Sequence, residues 1–150
     1  PEARGQGVGR KLIEMSIQKA KQLGVDSLRA LIASSNNTMR HLCLQMNLIE
    51  SDALCGLYVR SRKQPIGQLV DASQSHLIWV ENLTYGGAWL EGDITQQAIN
   101  NADHVAWFYH GDILGAVVDK SDDKTVQLLL ENEFEHINDY HRWVFNLRND

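Results

Sequence analysis

The run Arg4-Gly5-Gln6-Gly7-Val8-Gly9 stands directly before a stretch with helical periodicity. Glycines let backbone amides come close to a ligand, and a helix's first turn offers unpaired N–H groups at the positive end of its dipole. Together they predict a phosphate or other anion held without a metal. The glycine spacing is not the G-x-G-x-x-G of a dinucleotide fold, and no Lys-Ser/Thr follows to make a Walker loop. Other residues with chemistry to offer are sparser. Cys43 and Cys55 are too few for a disulfide scaffold. His104/His110 and His136/His141 are six and five apart, whereas a helical pair of metal ligands sits four apart, so no metal site is expected.

An amphipathic helix must carry this loop. Leu12, Ile13, Ser16, Ile17, Ala20 and Leu23 share one face, with Gly24 placed for a left-handed cap. Burial of the four large aliphatics is worth about 1.5–3 kcal/mol each. Asp26 to Ala33 reads as a strand apolar on both faces, as in a sheet covered by helices. Asn36 or Asn37 then starts a helix whose stripe is Met39, Leu42, Cys43 and Met46, and Asn47 ends it. Glu50 to Arg60 returns as a strand, completing helix, strand, helix, strand.

With these elements in place, the first sixty residues resemble the GNAT N-acetyltransferases. Their coenzyme A motif has the pattern Q/R-x-x-G-x-G/A, and Arg4, Gly7 and Gly9 occupy its defining positions. A second motif of the family, N-x-x-A/M-x-x-L-Y-x-x-x-G-F, corresponds to Asn36, Met39, Leu42, Cys43, Asn47 and Leu48, with Asn for Gly and Cys for Tyr. The resemblance implies that Arg4, Gly5, Gln6, Gly7, Val8, Gly9 and Arg10 cradle the pyrophosphate of acetyl-CoA, with backbone contacts from Gln6 to Arg10 and Asn36 nearby. It also implies an acyl transfer to an amine, either a protein lysine or a small cationic amine, in the cytoplasm. The tyrosine that many members use to protonate the departing thiolate is replaced by Cys43, which either takes that role or only packs. Tyr58, the single tyrosine before residue 64, reads as a strand packing residue. A non-catalytic CoA-binding or protein-interaction domain is the competing reading. The strands that precede the first motif in the family would lie before Pro1, so that segment or a second copy of the chain is expected to complete the sheet.

Composition divides the chain at the same point. Residues 1–63 hold ten Lys/Arg against five Asp/Glu, whereas 64–150 hold four against fourteen. Ten of the eleven aromatics also fall after residue 63. Two units, 1–63 and 64–150, are therefore expected. The basic one suits an anionic ligand, and the acidic one argues against nucleic acid. No apolar run is long enough to span a membrane, and no signal peptide is visible.

The second unit resembles no family and reads as a β-meander with helices: strand His76–Leu83, a turn at Gly86-Gly87, and a helix from Asp93 to Asn101. A hairpin of His104–Tyr109 and Ile113–Asp119 follows, then strand Thr125–Leu130 and a closing helix Glu133–Leu147. No internal repeat is evident. The expected fold class is α/β (α+β), a GNAT-like mixed sheet incomplete at its N-terminus. An arrangement in which the second unit completes the sheet stays open.

Overall fold

The computed structural model describes residues 5–70, 75–81 and 86–148. They form six strands and four helices, a mixed α+β fold. Contacts divide the chain into one unit of residues up to Leu54 plus those from Tyr140 onward, and a second of Cys55–Asp139.

In the first unit, α1 (Val8–Gln22) closes with Gly24 N–H to Lys21 O and Val25 N–H to Ala20 O around a left-handed Gly24, as its sequence predicts. It packs on β1 (Ser27–Ala33). Ala20 is buried and Ile13 and Ile17 are half-buried. Leu12 and Leu23, expected inside, are 58% and 64% exposed, because a single edge strand covers only the middle of the apolar stripe. After β1, the Asn36 side chain accepts the Met39 N–H at 3.1 Å and starts α2 (Asn37–Gln45). Asn47 turns the chain with φ 59° into β2 (Ile49–Ser61). The partner of β1 is β6 (Glu135–Asn146), antiparallel from Ser27↔Asn146 to Ala33↔Tyr140. Ile32, Cys43, Leu48 and the wholly buried Trp143 make this unit's core.

In the second unit the strand order is β2, β5 (Ile113–Asp119), β4 (Gly86–Gly92), β3 (Ser75–Glu81). β4 and β5 run parallel, which requires a crossover, and α3 (Gln96–Phe108) supplies it. Ala98, Ile99, Ala102 and Ala106 of α3 pack with Ala88, Leu90, Leu114 and Leu129. Gly115 lets β4 and β5 lie close: a Cβ there would meet the Trp89 ring at 2.4 Å. α4 (Asp123–Glu131) covers the same core through Leu129, its N-terminus capped by Asp122 on Thr125 N–H. Hydrogen bonding from the Thr125 side chain, and then from its backbone N–H, holds the Asp122 carboxyl below its ordinary range.

Four sequence expectations for this half are corrected. Gly86-Gly87 opens β4 instead of turning the chain. His104–Tyr109 continues α3: the aromatic run favours a strand, but the alanines at helical spacing face the core and decide it. Thr125–Leu130 is helix, because the Asp122 cap and the buried Leu129 outweigh an aliphatic run. Residues 135–146 are strand, since Tyr140, Trp143, Val144 and Phe145 suit a pleated surface and β1 offers an edge to pair. Among the described residues these elements accordingly form no meander.

The structure also reveals an internal repeat that the sequence concealed. A shift of 86 residues carries Ser27–Ala33 onto Ile113–Asp119, Asn37–Gln45 onto Asp123–Glu131, and the start of β2 at Ile49 onto that of β6 at Glu135. The same shift carries cap Asn36 onto Asp122, and the left-handed residues Gly24 and Asn47 onto His110 and Glu133. Each copy donates its last strand to the other. β6 pairs β1, β2 pairs β5, and Ala30↔Trp143 is matched by Ala116↔Tyr58.

Candidate functional site

Gly5 and Gly7 precede α1 with φ of 81° and 73°, a left-handed backbone that side chains disfavour. A Cβ on either would meet no atom within 4 Å, so they face open space. Gly9 differs, since its Cβ would press on Leu42 at 3.2 Å, and it lets α1 start against α2. The helical ladder of α1 begins with Lys11 N–H to Gly7 O, which places the N–H groups of Val8, Gly9 and Arg10 ahead of it. Alone among the described helices, α1 has no side-chain cap, and its first turn carries no acid. An anion placed there meets donors and the positive end of the dipole.

A cleft of about 820 Å³ opens at this end, between Gly5–Arg10 and the α2 residues Thr38, His41 and Gln45. The Arg10 guanidinium donates to Gln45 Oε1 at 2.9 Å, and Gln45 Nε2 lies 2.9 Å from His41 Nε2, so a cation is anchored at the rim. Asn36 borders this cleft and a second cavity of about 420 Å³. The second cavity follows the outer edge of β1 from Leu28 to Ala33, which no described strand pairs. Ile13, Met39, Cys43 and Tyr140 line it.

The structure thus brings Gly5, Gly7, Val8, Gly9, Arg10 and Asn36 to one cleft, with Gln6 in the loop between them, whereas Arg4 lies outside the described residues. Cys43 is not in that cleft. It borders the second cavity, 2% exposed, and burial pushes its thiol pKa up. Tyr58 is buried in the other unit's core beside the His136 ring, where burial raises its pKa. His41, Gln45 and Tyr140 went unnoticed in the sequence. The first two sit on the polar face of α2 and resemble ordinary surface residues. Tyr140 enters through the strand exchange, which no spacing discloses.

The second copy starts its helix two residues later in the repeat, at Gln96, and with other residues. Glu91, Asp93 and Thr95 stand where the first copy has Gly5, Gly7 and Gly9, and Thr95 caps α3 on Ala98 N–H at 3.2 Å. The Thr95 side chain thus caps the start of α3, where α1 has no side-chain cap.

The Acetyltransferase (GNAT) family model matches residues 1–47. No curated protein matches the chain. Among solved structures, a GCN5-related N-acetyltransferase from Sphaerobacter thermophilus is similar over 99% of this chain and 70% of its own, with TM-score 0.55 and 9% identity. A Pyrococcus horikoshii protein designated an acetyltransferase is similar over 99% of this chain and 61% of its own, with TM-score 0.50 and 11% identity. At such identities the likeness is one of fold, and the chain spans under three quarters of either protein. Residues 1–47 match the GNAT acetyltransferase family, and the chain as a whole has the fold of a GCN5-related N-acetyltransferase.

Proposed function

We propose that the first unit binds acetyl-CoA and that the protein transfers its acetyl group to an amine, a protein lysine or a small cationic amine. The uncapped α1 start, with glycines whose side-chain positions are empty, carries this reading. The pyrophosphate would rest on the N–H groups of Val8 to Arg10, with the guanidinium of Arg10 at its edge. From there the pantetheine arm would pass Asn36 into the cavity along β1. The thioester would then lie among apolar walls, where backbone donors polarise a carbonyl strongly. No metal is invoked, and the described residues hold no cluster of ligands for one.

Gly7→Val is expected to weaken CoA binding at least about tenfold, which is about 1.4 kcal/mol. No protein atom opposes the new side chain, so the loss would arise from the strained φ and the blocked approach of a ligand. Titration calorimetry should give one CoA per chain in the wild type, because the second copy has Glu91 and Asp93 at its loop. Equal affinity in both proteins would remove the basis of the proposal.

The burial of Cys43 favours a second reading, in which the unit binds CoA without transferring the acyl group. Cys43→Ala separates the roles of that thiol. We expect a loss of about 1–2 kcal/mol in stability from the vacated volume, with kcat nearly intact. A hundredfold fall in kcat at unchanged melting temperature would instead make Cys43 the proton donor.

A further inference from the structure

We propose that the end of α3 and residues 65–70 form a docking face for a second copy of this chain, related to the first by a two-fold axis. The proposal is independent of the acetyl-CoA reading. Ile66, Leu69, Val70, Trp107, Phe108 and Tyr109 are all exposed there, Ile66 by 84% and Phe108 by 75%. Leu69, Trp107, Phe108 and Tyr109 line one groove of about 450 Å³. The six expose roughly 700 Å², more than the largest apolar patch of a typical monomer and close to the ~800 Å² that one partner gives a standard interface.

The repeat shows that the fold does not demand such a face. The 86-residue shift sets Trp107, Phe108 and Tyr109 on Lys21, Gln22 and Leu23, and His104 and Val105 on Gln18 and Lys19. Those five residues of the first copy are exposed, so the same backbone accepts a largely polar helix end. Aromatic rings left in water add nothing to folding, whereas covering them is favourable. The face is also held in order. Asn101 accepts the Val70 N–H at 3.3 Å and donates to Val70 O, and the Lys63 N–H donates to Asp103. A surface already ordered loses little entropy on docking.

A second copy fits this face better than a charged partner. Residues 64–150 hold fourteen carboxylates, yet none lies in 64–70 or 104–109. The cations at its border are engaged, Arg62 over the Trp107 ring at 4.8 Å and Lys63 on Glu133 at 2.7 Å. Two such faces meet without charge repulsion, and a two-fold axis would let Ile66 of each copy enter the groove of the other.

The test is sedimentation velocity of the full chain across the micromolar range. Wild type should dimerise, and Ile66→Ser/Phe108→Gln should raise the dimer Kd at least about a hundredfold, since each change acts twice in a two-fold contact. Both side chains are exposed and Gln is the first copy's residue at the matching position, so the monomer's melting temperature should not change. Leu130→Gln, exposed on α4 outside the face, should leave Kd within about twofold. Amide exchange needs no variant: in wild type it should slow over 66–70 as concentration rises. A monomer at every concentration overturns the proposal, as does a dimer that the double variant leaves intact. Slowing over 28–33 in place of 66–70 also overturns it, and gives the dimer to the open edge of β1. Monomeric wild type that binds phosphatidylcholine vesicles, with binding lost in the double variant, overturns it in favour of a lipid surface.

Discussion

Trp143→Ala should lower the unfolding free energy by about 3–5 kcal/mol, in the range for large aromatic deletions from a core. Trp143 is wholly buried, pairs with Ala30, and packs among Ile32, Cys43 and Leu48. Without it the unit's core retains only small and medium side chains. The indole N–H has no partner, which adds a second measurable consequence. Trp143→Phe also leaves a cavity, but it abolishes that unpaired donor, whose burial costs about 1–3 kcal/mol. The phenylalanine variant should therefore lose much less than the alanine one. Urea unfolding with a common m-value would show both. A loss under about 1 kcal/mol for Trp143→Ala would mean that β6 does not anchor this unit. The same reasoning bears on the fragment 1–63. It lacks β6 and Trp143, which leaves β1 without its partner, and isolated strand pairs of this size seldom persist in water.

How far the sequence discloses this arrangement depends on how local each determinant is. Gly7, Gly24, Asn36 and Asn47 act within a turn of their own position, and the elements they bound lie where they predict. The second half failed where a local preference met a tertiary demand. His104 to Tyr109 is rich in strand-forming residues, yet Ala98, Ala102 and Ala106 align only when the whole segment is helical. In 135–146 the aromatics satisfy either period, and the free edge of β1 decides the outcome. The repeat itself survives in caps and small residues, as in Asn36 with Asp122, Ala20 with Ala106 and Ala30 with Ala116. Such positions constrain the backbone but say little as letters. Charge was legible in bulk and not in detail. The acidity of 64–150 argues against nucleic acid but does not single out Glu91 and Asp93, which stand where the first copy has Gly5 and Gly7.

The second large effect belongs to the buried pair Arg60–Asp103, and the repeat supplies its control. The side chains are 4% and 8% exposed and bind in parallel, Nη1 to Oδ1 at 3.0 Å and Nη2 to Oδ2 at 2.6 Å. Asp103 Oδ1 also accepts the Lys63 N–H at 2.9 Å, and the guanidinium lies over the Phe134 ring. Asp103→Ala would strand a buried cation and a backbone donor, at an expected cost of about 3–5 kcal/mol. That figure measures the orphaned charge, not the net worth of the pair, because two ions taken from water lose much of what their attraction returns. In the first copy the matching positions are apolar. Phe145 pairs with Leu28 as Arg60 pairs with Leu114, and Ile17 stands on α1 where Asp103 stands on α3. The fold thus accommodates apolar side chains at both places. The double variant Arg60→Phe/Asp103→Ile should accordingly be more stable than Asp103→Ala alone, by at least about 2 kcal/mol. Chemical unfolding of wild type, Arg60→Phe, Asp103→Ile and the double would give the coupling directly. If the double loses as much as the two singles added together, the coupling is zero, no orphaned charge is relieved, and the repeat's apolar solution does not transfer.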